Sequence, residues 1–370
     1  MKMINSTHDL FPIWEKVQKA ERLTFDDGVQ LLQSKDLLAV GYMANYVREL
    51  KHQDKTYFVT NRHINYTNVC ALRCKLCAFG VDQEAESAYT MTLEQIEQHA
   101  HNSAFHGLTE LHIVGGLNPQ LSLQYYETML KRLSDILPDA HIKAFTAVEI
   151  DFLAKENDLS VDQVLLRLQA AGLGSLPGGG AEIFAQRVRE RICPNKISGG
   201  RWLYIHETAH TLGMRSNATM LYGHIETVEE QVDHFLRLRE LQDKTGGFQT
   251  FIPLAFHPKN TVLSEEVDGL GRTTGLQDMR MIAVARLLLD NFDHIKAYWV
   301  MIGPKLAQLS LHFGANDTDG TVIEERITHA AGASTDQAMT KADMIKLIRD
   351  AGRQPIERDT LYNVVNKEFV

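Results

Sequence analysis

From residue 57 to about residue 320 the chain alternates short apolar runs with longer stretches whose apolar positions recur at three- and four-residue steps between charges. The short runs, at 64–69, 111–114, 142–148, 172–176, 216–221, 250–255 and 295–300, with a weaker one at 312–315, predict strands. The longer stretches, such as 93–105, 123–136, 228–242 and 278–289, predict helices that turn one apolar stripe toward a common core. Strand and helix alternating in this way predict an α/β fold, a parallel (βα) TIM-type barrel or a partial version of it, with an open doubly wound sheet as the alternative. Residues 1–56 read as a helical N-terminal extension, with a helix start at Thr24 to Asp27, and 57–320 as the barrel. Residues 321–370 read as a C-terminal helical segment, with a helix at 341–351 followed by Gly352, Pro355 and a polar end.

Composition narrows the function class. A chain of 370 residues with 44% hydrophobic residues has material for one large barrel with appendages. The net charge of -9, with Lys and Arg spread along the chain, leaves no basic face for a phosphate backbone and argues against nucleic acid. Charges at Asp9, Glu15, Lys16, Lys19, Glu21 and Arg22 break up the N-terminus, so it does not read as a signal peptide. No apolar run elsewhere approaches a membrane span, so the expectation is a cytoplasmic protein with no membrane partner.

The chemistry concentrates in the cysteines. Cys70, Cys74 and Cys77 form C-x3-C-x2-C directly after the first strand-like run, at what would be the catalytic face of a parallel barrel. Iron–sulfur clusters usually take four thiolates, so three in one loop leave an iron open to an outside ligand. Structural zinc needs a closed set of four, usually as two separated pairs, and the loop lacks that. Cys193, between Ile192 and Pro194, reads as a packed thiol. Gly115 and Gly116 end the second strand-like run, where a missing side chain lets the backbone approach a ligand. Gly178, Gly179 and Gly180 lack the Lys and Ser/Thr of a P-loop and read as a backbone cradle at the barrel mouth. His206-Glu207-Thr208-Ala209-His210 fits H-E-x-x-H, but it lies on an expected outer helix, away from any strand's C-terminal end, and is read as structural. Polar residues at or just after strand ends are the remaining candidates: Arg62, His63, Glu149, Ser175, Glu182, His224, Glu226 and His257.

The cysteine motif resembles that of the radical S-adenosylmethionine (SAM) superfamily, in which the amine and carboxylate of SAM's methionine occupy the open iron. The resemblance implies a [4Fe-4S] cluster on Cys70, Cys74 and Cys77, SAM as cosubstrate, and a methionine contact at Gly115 and Gly116. Leu76 stands where that superfamily usually has an aromatic residue. Residues 65–70, 175–182, 218–227 and 313–317 resemble the menaquinone-pathway radical SAM enzymes and their deazaflavin-pathway relatives. Within that group, 144–150 and 297–301 are similar to the aminofutalosine synthase family. The sibling dehypoxanthine futalosine cyclases tend to carry a Ser-Pro-Pro type stretch where this chain has Thr146, Ala147 and Val148. The resemblance implies that the adenosyl radical of SAM adds to an aromatic enol ether, 3-[(1-carboxyvinyl)oxy]benzoate. It further implies reduced flavodoxin or ferredoxin as electron donor. On this reading Glu149, Ser175 and Glu182 surround SAM, Arg62, His63, His224 and His257 face the substrate, and Asn316 closes its far end.

Overall fold

The computed structural model describes residues 4–104 and 107–365, so the expectations that fall on residues 1–3, 105 and 366–370 lie outside the described residues. Among the described residues ten strands are formed: β1 (Lys55–Val59), β2 (Asn61–Ile64), β3 (Glu110–Ile113), β4 (His141–Ala144), β5 (Ser175–Leu176), β6 (Arg215–Tyr222), β7 (Phe248–Ala255), β8 (His294–Ile295), β9 (Asp317–Gly320) and β10 (Gln354–Arg358). Strands β2 to β8 make one parallel sheet in strictly sequential order. A doubly wound sheet would reverse its order at a switch point, so the sequential order selects the curled barrel.

The helices lie where the apolar spacing puts them, including Leu123–Ile136, Val228–Thr245 and Gly275–Leu288. Their starts follow local chemistry. Thr24 and Asp27 close a reciprocal capping box on Phe25–Gln33, and Thr227 and Glu230 do the same on Val228–Thr245. The N-terminal helices Phe11–Gln18, Phe25–Gln33 and Leu37–His52 precede β1. Arg48, fully buried, fixes the last of them to the strands by donating to the Lys55 carbonyl at 2.7 Å and Thr56 Oγ1 at 2.9 Å.

The structure departs from several strand expectations: the run 64–69 is strand only to Ile64, at the end of β2, and the run 295–300 is strand only to Ile295 before the helix Trp299–Ile302. Residues 312–315 form a turn after the helix Pro304–Ser310, and the strand follows at β9. The C-terminal tail has its helix at Lys341–Asp350, but the chain then forms β10, which pairs in parallel with β1 in a small sheet of order β10-β1-β9. That sheet is connected to the barrel. Lys296, just past β8, bridges to Asp317, and Arg62 of β2 bridges to Ile323, so the segment 317–323 spans the gap between the first and last barrel strands. Under the barrel, Glu110 accepts from Lys143 Nζ at 2.7 Å, Asn61 Nδ2 at 3.1 Å and Thr360 Oγ1 at 2.9 Å. Arg358 pairs with Asp317 at 2.6 Å. Both acids are buried, and a buried charge is tolerated only when paired and hydrogen-bonded, as each is here.

Candidate active site

The C-terminal ends of the barrel strands enclose a cavity of ≈ 330 Å³, with the cysteine loop at its mouth. The loop has no secondary structure of its own and is fixed by neighbours. Cys70 N donates to Val81 O at 3.0 Å, Ala71 N to Leu117 O at 3.0 Å, and Lys75 N to Ile192 O at 2.9 Å, while Lys75 O accepts from Leu263 N at 2.9 Å. Arg73 takes φ 48° at the loop's tightest point.

Cys70, Cys74 and Cys77 all line the cavity. A Cβ built on Gly80 would meet Cys70 Cβ at 3.1 Å and lie in ordinary contact with Cys77 Sγ at 3.8 Å and Cys70 Sγ at 3.9 Å, so Gly80 packs closely against both cysteines. Gly80 N also donates to Cys77 Sγ at 3.4 Å, a backbone donor suited to a cluster sulfur. Burial pushes the Cys74 thiol up to about 12, so its thiolate depends on iron for stabilisation. Among the described residues no three ligand side chains gather around one metal position, but three thiols lining one cavity beside a backbone donor are the donor set that a multi-iron cluster takes.

Gly115 and Gly116 line the cavity beside the loop. At Gly115 a Cβ would meet the buried Tyr66 ring at 2.7 Å, and at Gly116 it would meet Val69 O at 2.1 Å. Glu149 braces this turn. It is the third residue of the helix Ala147–Glu156 and accepts from Tyr66 Oη at 2.8 Å, Gly115 N at 3.2 Å and Thr146 N at 2.7 Å. Burial raises its carboxyl to about 7 against the pull of those donors. Opposite, Gly178, Gly179 and Gly180 line the wall with their carbonyls held from behind by Thr219 Oγ1, Trp202 Nε1 and Arg189 Nη2. Glu182, also on the wall, pairs with the half-buried Lys196 at 2.5 Å. Burial raises its carboxyl, and Lys196 more than offsets that, leaving it below the usual range.

The other expected residues divide. His63 and His257 line the cavity. His257 is oriented by the Met301 carbonyl at 3.0 Å on one nitrogen and Arg272 at 3.0 Å on the other. Arg62, adjacent to His63 along β2, projects to the opposite face and pairs with Glu324 at 2.6 Å. Ser175 lies away from the cavity wall with its hydroxyl on His141 Nε2 at 2.8 Å. His224 is buried against Glu226 at 2.9 Å and the Leu221 carbonyl at 3.1 Å. Asn316 sits at the barrel base, accepting from Arg286 at 2.5 Å and Ile295 N at 3.0 Å. The cavity also takes His112, Lys143, Lys196, Asn217, Thr219, Lys296, Tyr298, Asp319 and Glu325, which strand-end reasoning passed over. Their signal was present, because His112, Lys143 and Lys296 are polar interruptions inside otherwise apolar runs.

The H-E-x-x-H segment lies on the helix Gly199–Thr211 outside the cavity. His206 Nδ1 and His210 Nε2 both meet Ser216 Oγ at 2.8 Å, and Glu207 pairs with Lys244 at 2.6 Å. These partners make the segment a helix-to-β6 brace. Among the described residues no helix is long and apolar enough to cross a membrane.

Comparison with known proteins agrees with this geometry. The radical SAM superfamily model matches residues 64–238, and the model of the CofH/MqnC C-terminal region matches 245–368. The chain is 49% identical to aminodeoxyfutalosine synthase of Thermus thermophilus, over 96% of both chains. It is 44% identical to that of Streptomyces coelicolor, over 95% of this chain and 93% of the other. It is also 40% identical, over 83% of this chain and 84% of the other, to a 5-amino-6-(D-ribitylamino)uracil–L-tyrosine 4-hydroxyphenyl transferase of Methanopyrus kandleri. In fold it is similar to the FeFe-hydrogenase maturase HydG of Carboxydothermus hydrogenoformans, with TM-score 0.75 at 15% identity over 96% of this chain and 80% of that one. Methylornithine synthase follows with TM-score 0.72 at 17% identity, over 93% and 97%.

Proposed function

This chain belongs to the radical SAM superfamily, and from that premise we propose that it is an aminodeoxyfutalosine synthase. In the proposed reaction the 5'-deoxyadenosyl group of SAM joins the vinyl carbon of 3-[(1-carboxyvinyl)oxy]benzoate, the aryl group moves from oxygen to carbon, and the former pyruvyl carboxylate is lost. The product is 6-amino-6-deoxyfutalosine. The observation that carries the substrate reading is the identity of 49% to the Thermus relative over 96% of both chains, against 40% over 83% of this chain for the Methanopyrus transferase.

The enzyme uses a [4Fe-4S] cluster and SAM. A cluster held on this loop would supply the electron for reductive cleavage of SAM. The residues of the chain do the rest by placement. Cys70, Cys74 and Cys77 would hold the cluster, and the backbone at Gly115 and Gly116, in the same cavity, would take the methionine portion of SAM, with Glu149 as the positioning residue that fixes that turn. Leu72, Leu76, Val148, Leu221, Ile252, Leu254 and Phe256 give the cavity an apolar wall that excludes water from a carbon radical. Glu182 faces the same end and presents a carboxylate to a SAM amine or hydroxyl. The barrel 57–320 then carries most of the site, and Glu325, Ile327, Thr328 and Ala331 of the C-terminal segment complete the cavity lining.

The test is anaerobic incubation of reduced enzyme with SAM and the enolpyruvyl benzoate, followed by mass analysis of the nucleoside. An adenosyl adduct that has lost one carboxylate supports the reading. Turnover of L-tyrosine with 5-amino-6-(D-ribitylamino)uracil in its place would put the chain with the archaeal transferases.

A further inference from the structure

Inside the cavity, on the side away from the cysteine loop, the fold leaves hydrogen-bond donors unused. The register of the sheet sets His63 of β2 beside His112 of β3, and His112 beside Lys143 of β4, so three inward side chains form one row across adjacent strands. The two imidazoles stack with centroids 4.4 Å apart. His63 is 7% exposed, both rings line the cavity, and among the described residues neither ring nitrogen pair has a hydrogen-bond partner. Lys143 is 3% exposed and gives one bond, to Glu110 at 2.7 Å. Lys296 is 2% exposed, enters the cavity from the far side of the barrel, and gives one bond, to Asp319 at 3.2 Å. An ammonium carries three N–H donors, and buried donors are rarely left without acceptors. These four side chains, His112 half-buried and the other three buried, therefore present several N–H groups to one space, and the partners of both lysines fix them in place without using them up.

We propose that this row, His63, His112 and Lys143 with Lys296 across the barrel, is the anchor for a carboxylate on the aromatic ring of the substrate. The inference rests on the enol-ether reading above and adds the orientation. Adenosyl C5' is delivered at the cysteine end of the cavity, so the vinyl carbon must lie there. The ring carboxylate, meta to the ether oxygen, then points away from the cluster and reaches the row of donors. A carboxylate takes up to about four hydrogen bonds, the number such a cradle supplies, and an ionised acceptor strengthens each.

The test uses 3-hydroxybenzoate and phenol as probes, titrated calorimetrically into the cluster-loaded, SAM-bound enzyme. The row predicts that 3-hydroxybenzoate binds about 10- to 100-fold more tightly than phenol, as expected for charged hydrogen bonds. Lys143→Met and Lys296→Met, retaining their iron, should each lose most of that preference, and Lys143→Arg should keep it. Equal binding of the two probes by the wild type, or an unchanged preference in both Met variants, would overturn the proposal and leave the donors to water. If Lys143→Met does not fold, the wild-type probe pair and Lys296→Met still decide. Adduct formation from the enol ether is read separately. A retained benzoate preference without adduct would sink the reaction while the anchor stands, and adduct formation without the preference would sink only the anchor.

Discussion

Gly116→Ala tests the link between backbone approach and chemistry. An alanine Cβ there would lie 2.1 Å from Val69 O, 2.7 Å from Val69 C and 3.1 Å from Cys70 Cβ, and two of these are backbone atoms that no rotamer relieves. The strand end must move on the order of 1 Å, and it moves with Cys70 attached. A displacement of that size between reacting groups costs on the order of 100-fold in rate. Overpacking of this kind costs about 1–3 kcal/mol of stability, which leaves the protein folded. The assay is anaerobic turnover at saturating SAM, with iron content and a thermal melt on the same preparation. Gly200→Ala is the control, since its nearest neighbour would be Ser198 Oγ at 3.9 Å. Activity of Gly116→Ala within threefold of wild type at full iron content would refute the claim that this turn fixes the reacting groups.

Replacing Cys70, Cys74 or Cys77 with Ala should abolish cluster iron and activity while the protein stays soluble, whereas Cys193→Ser, altering a thiol that is 1% exposed, should keep the iron; iron loss in the Cys193 variant would contradict the three-ligand set. His206→Ala removes a buried ring packed 3.7 Å from Trp202, so the melt should fall by the equivalent of about 2–4 kcal/mol while turnover stays within a few-fold; one zinc per chain, lost with the ring, would show a metal site. Glu149 gives a pH signature, because its carboxyl is raised to about 7 from 4.5 in the folded state. Its protonated form therefore adds stability that is complete below the unfolded value and is lost as pH rises through 7, roughly 3 kcal/mol in all. The stability of wild type relative to Glu149→Gln should fall between pH 4.5 and 7 and then level off; a relative stability that rises with pH would reverse the assignment.

The apolar alternation made the barrel legible because strands β2 to β8 are largely buried and most inter-strand helices show one stripe, although Gly275–Leu288 is buried on nearly all sides. It failed at β9, where Asp317, Thr318, Asp319 and Gly320 form a strand buried at every position. Such a strand has no apolar signal, and its burial depends on partners distant in sequence, Arg358 for Asp317 and Lys296 for Asp319. β10 was hidden for a related reason, since its parallel pairing with β1 joins the two ends of the chain. The cysteine loop and the two glycine turns were readable because their chemistry is local. Strand-end position alone did not separate His63 from Arg62, because neighbours along a strand face opposite sides and only the register shows which side is the cavity. Ser175 and His224 share that strand-end position and Asn316 comes from the family resemblance, and each instead holds a backbone or side-chain partner outside the cavity.

The fate of the adenosyl group tests the central claim most directly. Reduced enzyme is incubated with the enolpyruvyl benzoate and SAM labelled in its ribose, and the label is followed by mass. A radical that adds to the enol ether becomes part of the product, so the label should appear in one adenine-containing carbon–carbon adduct, with only minor free 5'-deoxyadenosine from uncoupled cleavage. Labelled 5'-deoxyadenosine as the main product, matched by turnover of dehypoxanthine futalosine, would contradict the synthase account and leave the cluster assignment in place.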